Sequence, residues 1–281
     1  MSENEINHFP SDWNHVPVEE RNDLHDMAPV SPMPDSDDNK APREGLTFNW
    51  FNLFIGVALF LGLTSGSDFF TDDWSYYPCL AIAVIIHELG HVVMGKSFGC
   101  SIQEMQVFFL SFVSYKPKAV VGGSSWRDIR WSLGVLPLGG VTVFKSRASD
   151  VESSPAASSP YIEDKASWQR LLISAGGVLF NIATFLILYF AMPYMSAECH
   201  HLLWPLASLS LILAILNILP IYPLDGGSIV FSIYEIVTGK KPSAKFTQAC
   251  GWIGFIFIIL FFWVFPEWLG SILNSIFGFL F

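Results

Sequence analysis

Five runs of apolar residues recur along the chain, separated by polar segments of unequal length. They cover residues 48–66, 76–96, 168–192, 202–220 and 249–265. About twenty apolar residues cross a bilayer core, so each run is near the length of a membrane-spanning helix. A last apolar stretch, residues 268–281, is short for a span and suits the membrane interface. Residues 101–145 read differently: they are rich in β-branched and aromatic residues and lack a helical period. Within them, Trp126–Lys145 reads as a strand, a Pro-Leu-Gly-Gly turn and a second strand. Backbone at membrane depth must find partners, so such a hairpin has to pack on protein or line a wet cavity. The pattern predicts an all-α polytopic membrane protein of about five transmembrane helices, with a small membrane-associated or re-entrant β-sheet.

The remaining segments are polar. Residues 1–45 are acidic and proline-rich and read as a disordered tail. They lack a basic region followed by an apolar one, so no signal peptide is expected, and they are too acidic for a transit peptide. Residues 146–160 read as a flexible linker, and residues 46–281 as one membrane-embedded domain.

Composition supports the membrane assignment: 52% of the 281 residues are hydrophobic and 14% are charged, where a soluble domain averages about 25% charged. Mean hydropathy is +0.44. The net charge of −10 belongs mostly to the tail, whose eleven acids and three bases give −8 and leave −2 for the rest. The four cysteines are scattered and read as unpaired thiols packed as small apolar groups.

Basic residues orient the chain. Nine of the fifteen lie from Lys96 to Arg170, and Lys240, Lys241 and Lys245 fall between the fourth and fifth runs. The segments Ser67–Ser75 and Ser196–His201 carry none. The positive-inside rule then places the tail, 96–170 and 239–247 in the cytoplasm, which alternation through five spans also requires.

The second run contains His87-Glu88-Leu89-Gly90-His91, an H-E-x-x-H pattern. Residues four apart on a helix lie about 40° apart around the axis. Both imidazoles therefore point one way and suit one metal ion, with Glu88 beside them as general base for a bound water. A five-residue pattern also arises by chance, but ionisable groups in an apolar helix cost at least a few kcal/mol each, and a metal explains all three. A catalytic zinc takes three protein ligands and a water. Asp225, in "NILPIYPLDGG" (Asn217–Gly227), is the acid available at depth, the only one between Glu198 and Glu235. An Asp-Gly turn between spans is the plainer reading of it, but apolar sequence on both sides and no basic residue between it and Lys240 favour a metal ligand at membrane depth. In "SAGGVLFN" (Ser174–Asn181), Gly176 and Gly177 suit close helix packing, and Asn181 is open to packing or to a hydrogen-bonding task.

HELGH (87–91), LPLGG (136–140), AGGVLFN (175–181) and NILPIYPLDGG (217–227), in this order, resemble the site-2 protease family of intramembrane zinc metalloproteases. The resemblance implies one zinc ion held by His87, His91 and Asp225, with Glu88 as general base and proton shuttle. It implies substrate contacts at Asn217, Gly139 and Gly140, with Asn181 supporting the site. The element around Leu136–Val141 is similar to the family's membrane-re-entrant β element, thought to hold substrate extended. Two departures stand out: Gly177 and Tyr222 occupy positions where the family often has proline. About ten residues separate the third and fourth runs, which leaves no room there for a PDZ domain, and no CBS domain is expected.

The expected function is intramembrane cleavage of transmembrane segments, with single-span membrane proteins as substrates, in the lipid bilayer of a bacterial inner membrane. Substrate selection falls to the spans, the sheet, the acidic tail or an accessory regulator, and no nucleic-acid partner is expected. A catalytically silent relative that scaffolds transmembrane helices is the alternative, which the intact Glu88 argues against. An HExxH enzyme acting on lipids or prenylated proteins fits the LPLGG and LDGG elements less well.

Overall fold

At membrane depth a helix satisfies every backbone donor and acceptor within its own segment, and the apolar runs fold accordingly. The computed structural model describes residues 45–64, 76–117, 126–146 and 159–264. The acidic tail up to residue 44, most of the linker (147–158) and residues 265–281 lie outside them. In chain order the helices are α1 (Trp50–Thr64), α2 (Tyr76–Ser97), α3 (Ser167–Ala191), α4 (Ala197–Ile218), α5 (Asp225–Thr238) and α6 (Ala244–Val264). Among the described residues, Tyr77–Ser97, Ser167–Tyr194 and Ala197–Ile218 are long and apolar enough to cross a membrane. The first and last runs contribute the shorter apolar helices Trp50–Leu59 and Ala244–Ile258.

α5 is the helix that hydropathy does not foretell. Pro220 and Pro223 end the preceding apolar run, because proline lacks an amide donor and clashes in a helix interior. An acid in the first turn, Asp225, favours the new helix start. Gly239 closes it at φ 69, with its N–H donating to the Glu235 carbonyl at 2.8 Å.

α2 and α3 approach backbone to backbone. A Cβ on Gly90 would meet the Gly176 carbonyl, and one on Gly176 would lie 2.6 Å from the Gly90 oxygen. Small residues at both positions remove the side chains that normally hold helices apart. This contact brings the imidazoles of α2 against α3.

The sheet is antiparallel, in the order β1 (Gly45–Phe48), β2 (Ile102–Lys116), β3 (Arg130–Phe144). The chain does reverse around Pro137–Gly140, but the flanks expected to form a hairpin do not pair with each other: β3 runs from Arg130 to Phe144, and both of its parts pair with β2. The physical reason lies on the facing strand. Phe108 and Leu110 of β2 take φ values of 65° and 56°, and β2 bends there. The register then passes from Ser111↔Gly134 through Phe109↔Leu136 to Val107↔Gly140, carrying the ladder past Pro137. Glu104–Val107 consequently has partners both in Arg130–Leu133, in parallel register, and in Gly140–Val143, in antiparallel register.

Beyond the bend, alternate residues of β3 face α2. A Cβ on Gly140 would touch Glu88, Thr142 bonds to Glu88, and Phe144 packs against Gly95. Val141 and Val143 lie more exposed on the other face. The buried cluster of Val84, Val92, Ile102, Met105, Val107 and Ile129 fixes the sheet to α2. Replacing Gly90 by Ala should force α2 and α3 apart and cost about 1–3 kcal/mol of stability, as overpacking does. Thermal unfolding in detergent reads this directly, and an unchanged midpoint would contradict the close approach.

Candidate metal centre

The helical period sets two imidazoles on one face of α2. His87 and His91 are buried, and their Nε2 atoms lie 3.3 Å apart. Asp225, at the start of α5, brings its Oδ2 to 3.0 Å from His87 Nε2 and 3.3 Å from His91 Nε2. These two segments are more than a hundred residues apart in sequence, and folding makes them one cluster. Among the described residues, this is the group of His, Cys, Asp and Glu side chains whose donor atoms converge closely enough to hold a metal.

The donor chemistry fits one zinc ion. His91 Nδ1 lies 2.8 Å from the Ile173 carbonyl of α3. A carbonyl only accepts, so Nδ1 carries a proton, and the neutral form of the ring turns a bare Nε2 inward. Asp225 Oδ2 is buried and makes no hydrogen bond, although both Nε2 atoms are within 3.3 Å of it. Facing lone pairs of this kind call for a cation. Ligands about 2.0–2.1 Å from a tetrahedral zinc are about 3.3 Å apart, close to the spacings here. Two histidines and a carboxylate also leave the fourth position that a catalytic site needs.

α3 forms the wall behind the imidazoles. A Cβ on Gly177 would lie 2.5 Å from His91 Nε2 and 2.6 Å from His87 Nε2, so α3 presses bare backbone against the rings. Asn181, fully buried, has Nδ2 3.1 Å from His87 Nδ1, while its Oδ1 has no partner. When His87 Nε2 ligates a metal, Nδ1 is the nitrogen that carries the proton. The matching amide orientation puts Oδ1, not Nδ2, against it. His87 and His91 are then each held through Nδ1 by α3, the arrangement that fixes tautomer and ring plane in metal sites.

Glu88 lies in the same buried pocket, 3% exposed. Its Oε2 accepts from the Thr142 hydroxyl at 2.6 Å, and a Cβ on Gly140 would stand 2.8 Å from its Oε1. Gly139, at φ 136, sits beside the Phe109 ring. Asn217 donates its amide N–H to Leu213 O, one turn back on α4, at 3.0 Å. His87, Glu88, His91, Asp225, Asn181 and Gly140 thus form one constellation, while the hydrogen bond of Asn217 stays within its own helix.

The far end of α5 is also secured. Arg170 of α3 pairs with Glu235, and both Arg170 and Lys241 donate to the Glu163 carbonyl. Sequence reasoning passed over two participants. Ile173 acts through its carbonyl, which no side chain signals. Thr142 had a signal, since it lies two residues beyond Gly140 and hence on the same face of a strand.

Comparison with known proteins places the chain among metalloproteases. Residues 76–198 and 193–261 match the model of Peptidase family M50. The chain is 23% identical over 202 residues to a zinc metalloprotease of Methanocaldococcus jannaschii, covering 72% of this chain and 45% of that protein. It is 42% identical over 65 residues to a metalloprotease of Caulobacter vibrioides, covering 23% of this chain and 16% of that one. Among solved structures, the site-2 protease from Methanocaldococcus jannaschii aligns with a TM-score of 0.45 at 21% identity, over 80% of this chain and 83% of that one. The chain spans less than a third of the length of the first curated relatives it matches.

If Asn181 orients His87, Asn181→Leu should weaken zinc or cobalt binding about 10- to 100-fold. Asn181→Asp, which keeps an acceptor, should retain most of the affinity. Competitive metal titration separates the two, and wild-type affinity in the Leu variant would remove Asn181 from the site.

Proposed function

The chain belongs to peptidase family M50, and on that premise we propose that it is a zinc endopeptidase cutting transmembrane segments of membrane proteins. One observation carries the reading: Asp225 Oδ2 meets both Nε2 atoms of the HExxH helix within 3.3 Å, with Glu88 in the same buried pocket. Zinc held by His87, His91 and Asp225 would supply Lewis-acid polarisation and a water acidified toward a pKa of about 7.

The chain's own residues do the rest. Glu88 takes a proton at one carboxylate oxygen and returns it to the leaving amine. His87 and His91, pinned through Nδ1, keep their Nε2 atoms aimed while charge shifts. α2, α3 and the sheet exclude bulk water around Glu88, which strengthens each of these interactions.

A helical peptide bond is shielded by its own turns and has to unwind before attack. Strand addition does this, because main-chain bonds to a strand edge hold a peptide extended. The part of β3 that passes Glu88, Gly140–Phe144, is the strand suited to the task. Substrates are single-span membrane proteins, and the outcome is regulated release of a fragment or clearance of a remnant peptide. The basic residues of 96–170 and 239–247 favour a cytoplasmic amino terminus, in a bacterial inner membrane. An accessory regulator would deliver or withhold substrate.

The decisive comparison is wild type against Glu88→Gln on a co-expressed single-span reporter. The variant should keep one zinc per chain and lose about 10²- to 10⁴-fold in cleavage rate, the usual worth of a general base. Chelation should abolish cleavage by wild type, and added zinc should restore it. A Gln variant that cuts as fast as wild type would refute the reading.

A further inference from the structure

We propose that Thr142 is a positioning residue for the Glu88 carboxylate, tying the base to the strand against which the peptide would lie. This rests on Glu88 being the general base. The observation is the 2.6 Å contact between Thr142 Oγ1 and Glu88 Oε2. A carboxylate only accepts, so the hydroxyl is the donor, and a hydrogen bond to an ionised group is among the stronger kinds. Among the described residues it is the hydrogen bond that the Glu88 carboxylate makes. The two neighbouring imidazoles are turned elsewhere, their Nε2 atoms to Asp225 and their Nδ1 atoms to α3.

Thr142 is itself well anchored. Its backbone partner in the ladder is Met105, one of the most buried residues of the sheet. Its branched Cβ restricts χ1, so the hydroxyl has few directions to point. A glutamate side chain free to change rotamer would be a poor base, because catalytic groups must be held to within about 0.5 Å. The bond uses Oε2 and leaves Oε1 beside Gly140, where no side chain stands. One carboxylate oxygen is therefore held, and the other stays open to carry the proton.

The choice of strand has a consequence. Gly140 and Thr142 touch Glu88 from β3, and Val141 and Val143 point to the opposite face. A peptide adding to this strand takes its register from the same backbone that fixes the base. The scissile carbonyl and Glu88 are thereby positioned against one another by a single rigid element, not by two independent ones.

The test uses full-length wild type, Thr142→Val and Thr142→Ser, with the single-span reporter that wild type cleaves, reading kcat, KM and bound zinc. Valine keeps the shape and removes the donor. It should lower kcat roughly 10- to 100-fold, as a slightly misplaced base does, with KM and zinc content unchanged. Serine restores the donor and should return kcat to within about threefold of wild type. Wild-type kcat in the Val variant, a loss that tracks lost zinc, or failure of Ser to recover would each overturn the proposal. Glu88→Gln run alongside keeps the two ideas apart. An active Gln variant sinks the general-base reading itself, whereas an inactive Gln variant beside a fully active Val variant sinks only the role of Thr142.

Discussion

Two imidazole nitrogens and a carboxylate oxygen, all buried and all presenting lone pairs to one another, cannot share a pocket at 3.0–3.3 Å without a cation or a proton between them. Much of the architecture serves to hold that convergence. α2 supplies His87 and His91 one turn apart. α5 supplies Asp225 from its first turn, and the pairing of Arg170 with Glu235 anchors the other end of that helix. Burial sharpens the demand, because a carboxylate at depth without a partner costs several kcal/mol.

Close packing is what makes the convergence specific. The α2–α3 contact at Gly90 and Gly176 brings the Ile173 carbonyl and Asn181 onto the outer nitrogens of the two rings. Each histidine is then gripped from behind and left bare in front. The sheet acts on the third participant, Glu88, by laying β3 along the same helix. Helices thus orient His87, His91 and Asp225, and a strand orients Glu88.

The bend of the sheet links these two halves. Arg130–Leu133 and Gly140–Val143 do not pair with each other: both lie against Glu104–Val107, the first in parallel and the second in antiparallel register. β2 bends at Phe108–Leu110 and β3 continues to Phe144, so Gly140 and Thr142 reach Glu88. A turn-rich composition and a continuous but irregular strand look alike in sequence. The difference lies in the facing strand.

Much was legible beforehand. All five apolar runs form helices, three of them long enough among the described residues for a bilayer's thickness, and the pairing of His87 with His91 follows from the helical period. Asp225 could be proposed because acids at membrane depth are scarce. Helix α5 was not legible, since its residues are neither long nor apolar enough to register as a span, and its start depends on a broken backbone. Nor were the Ile173 carbonyl, the contact of Asn181 with His87 or the Thr142 bond, each of which joins segments distant in sequence. Periodicity and composition act within one segment, so the sequence by itself determined which groups each helix presents. Which groups meet depends on backbone approach and strand register across segments, and only the tertiary structure decided that.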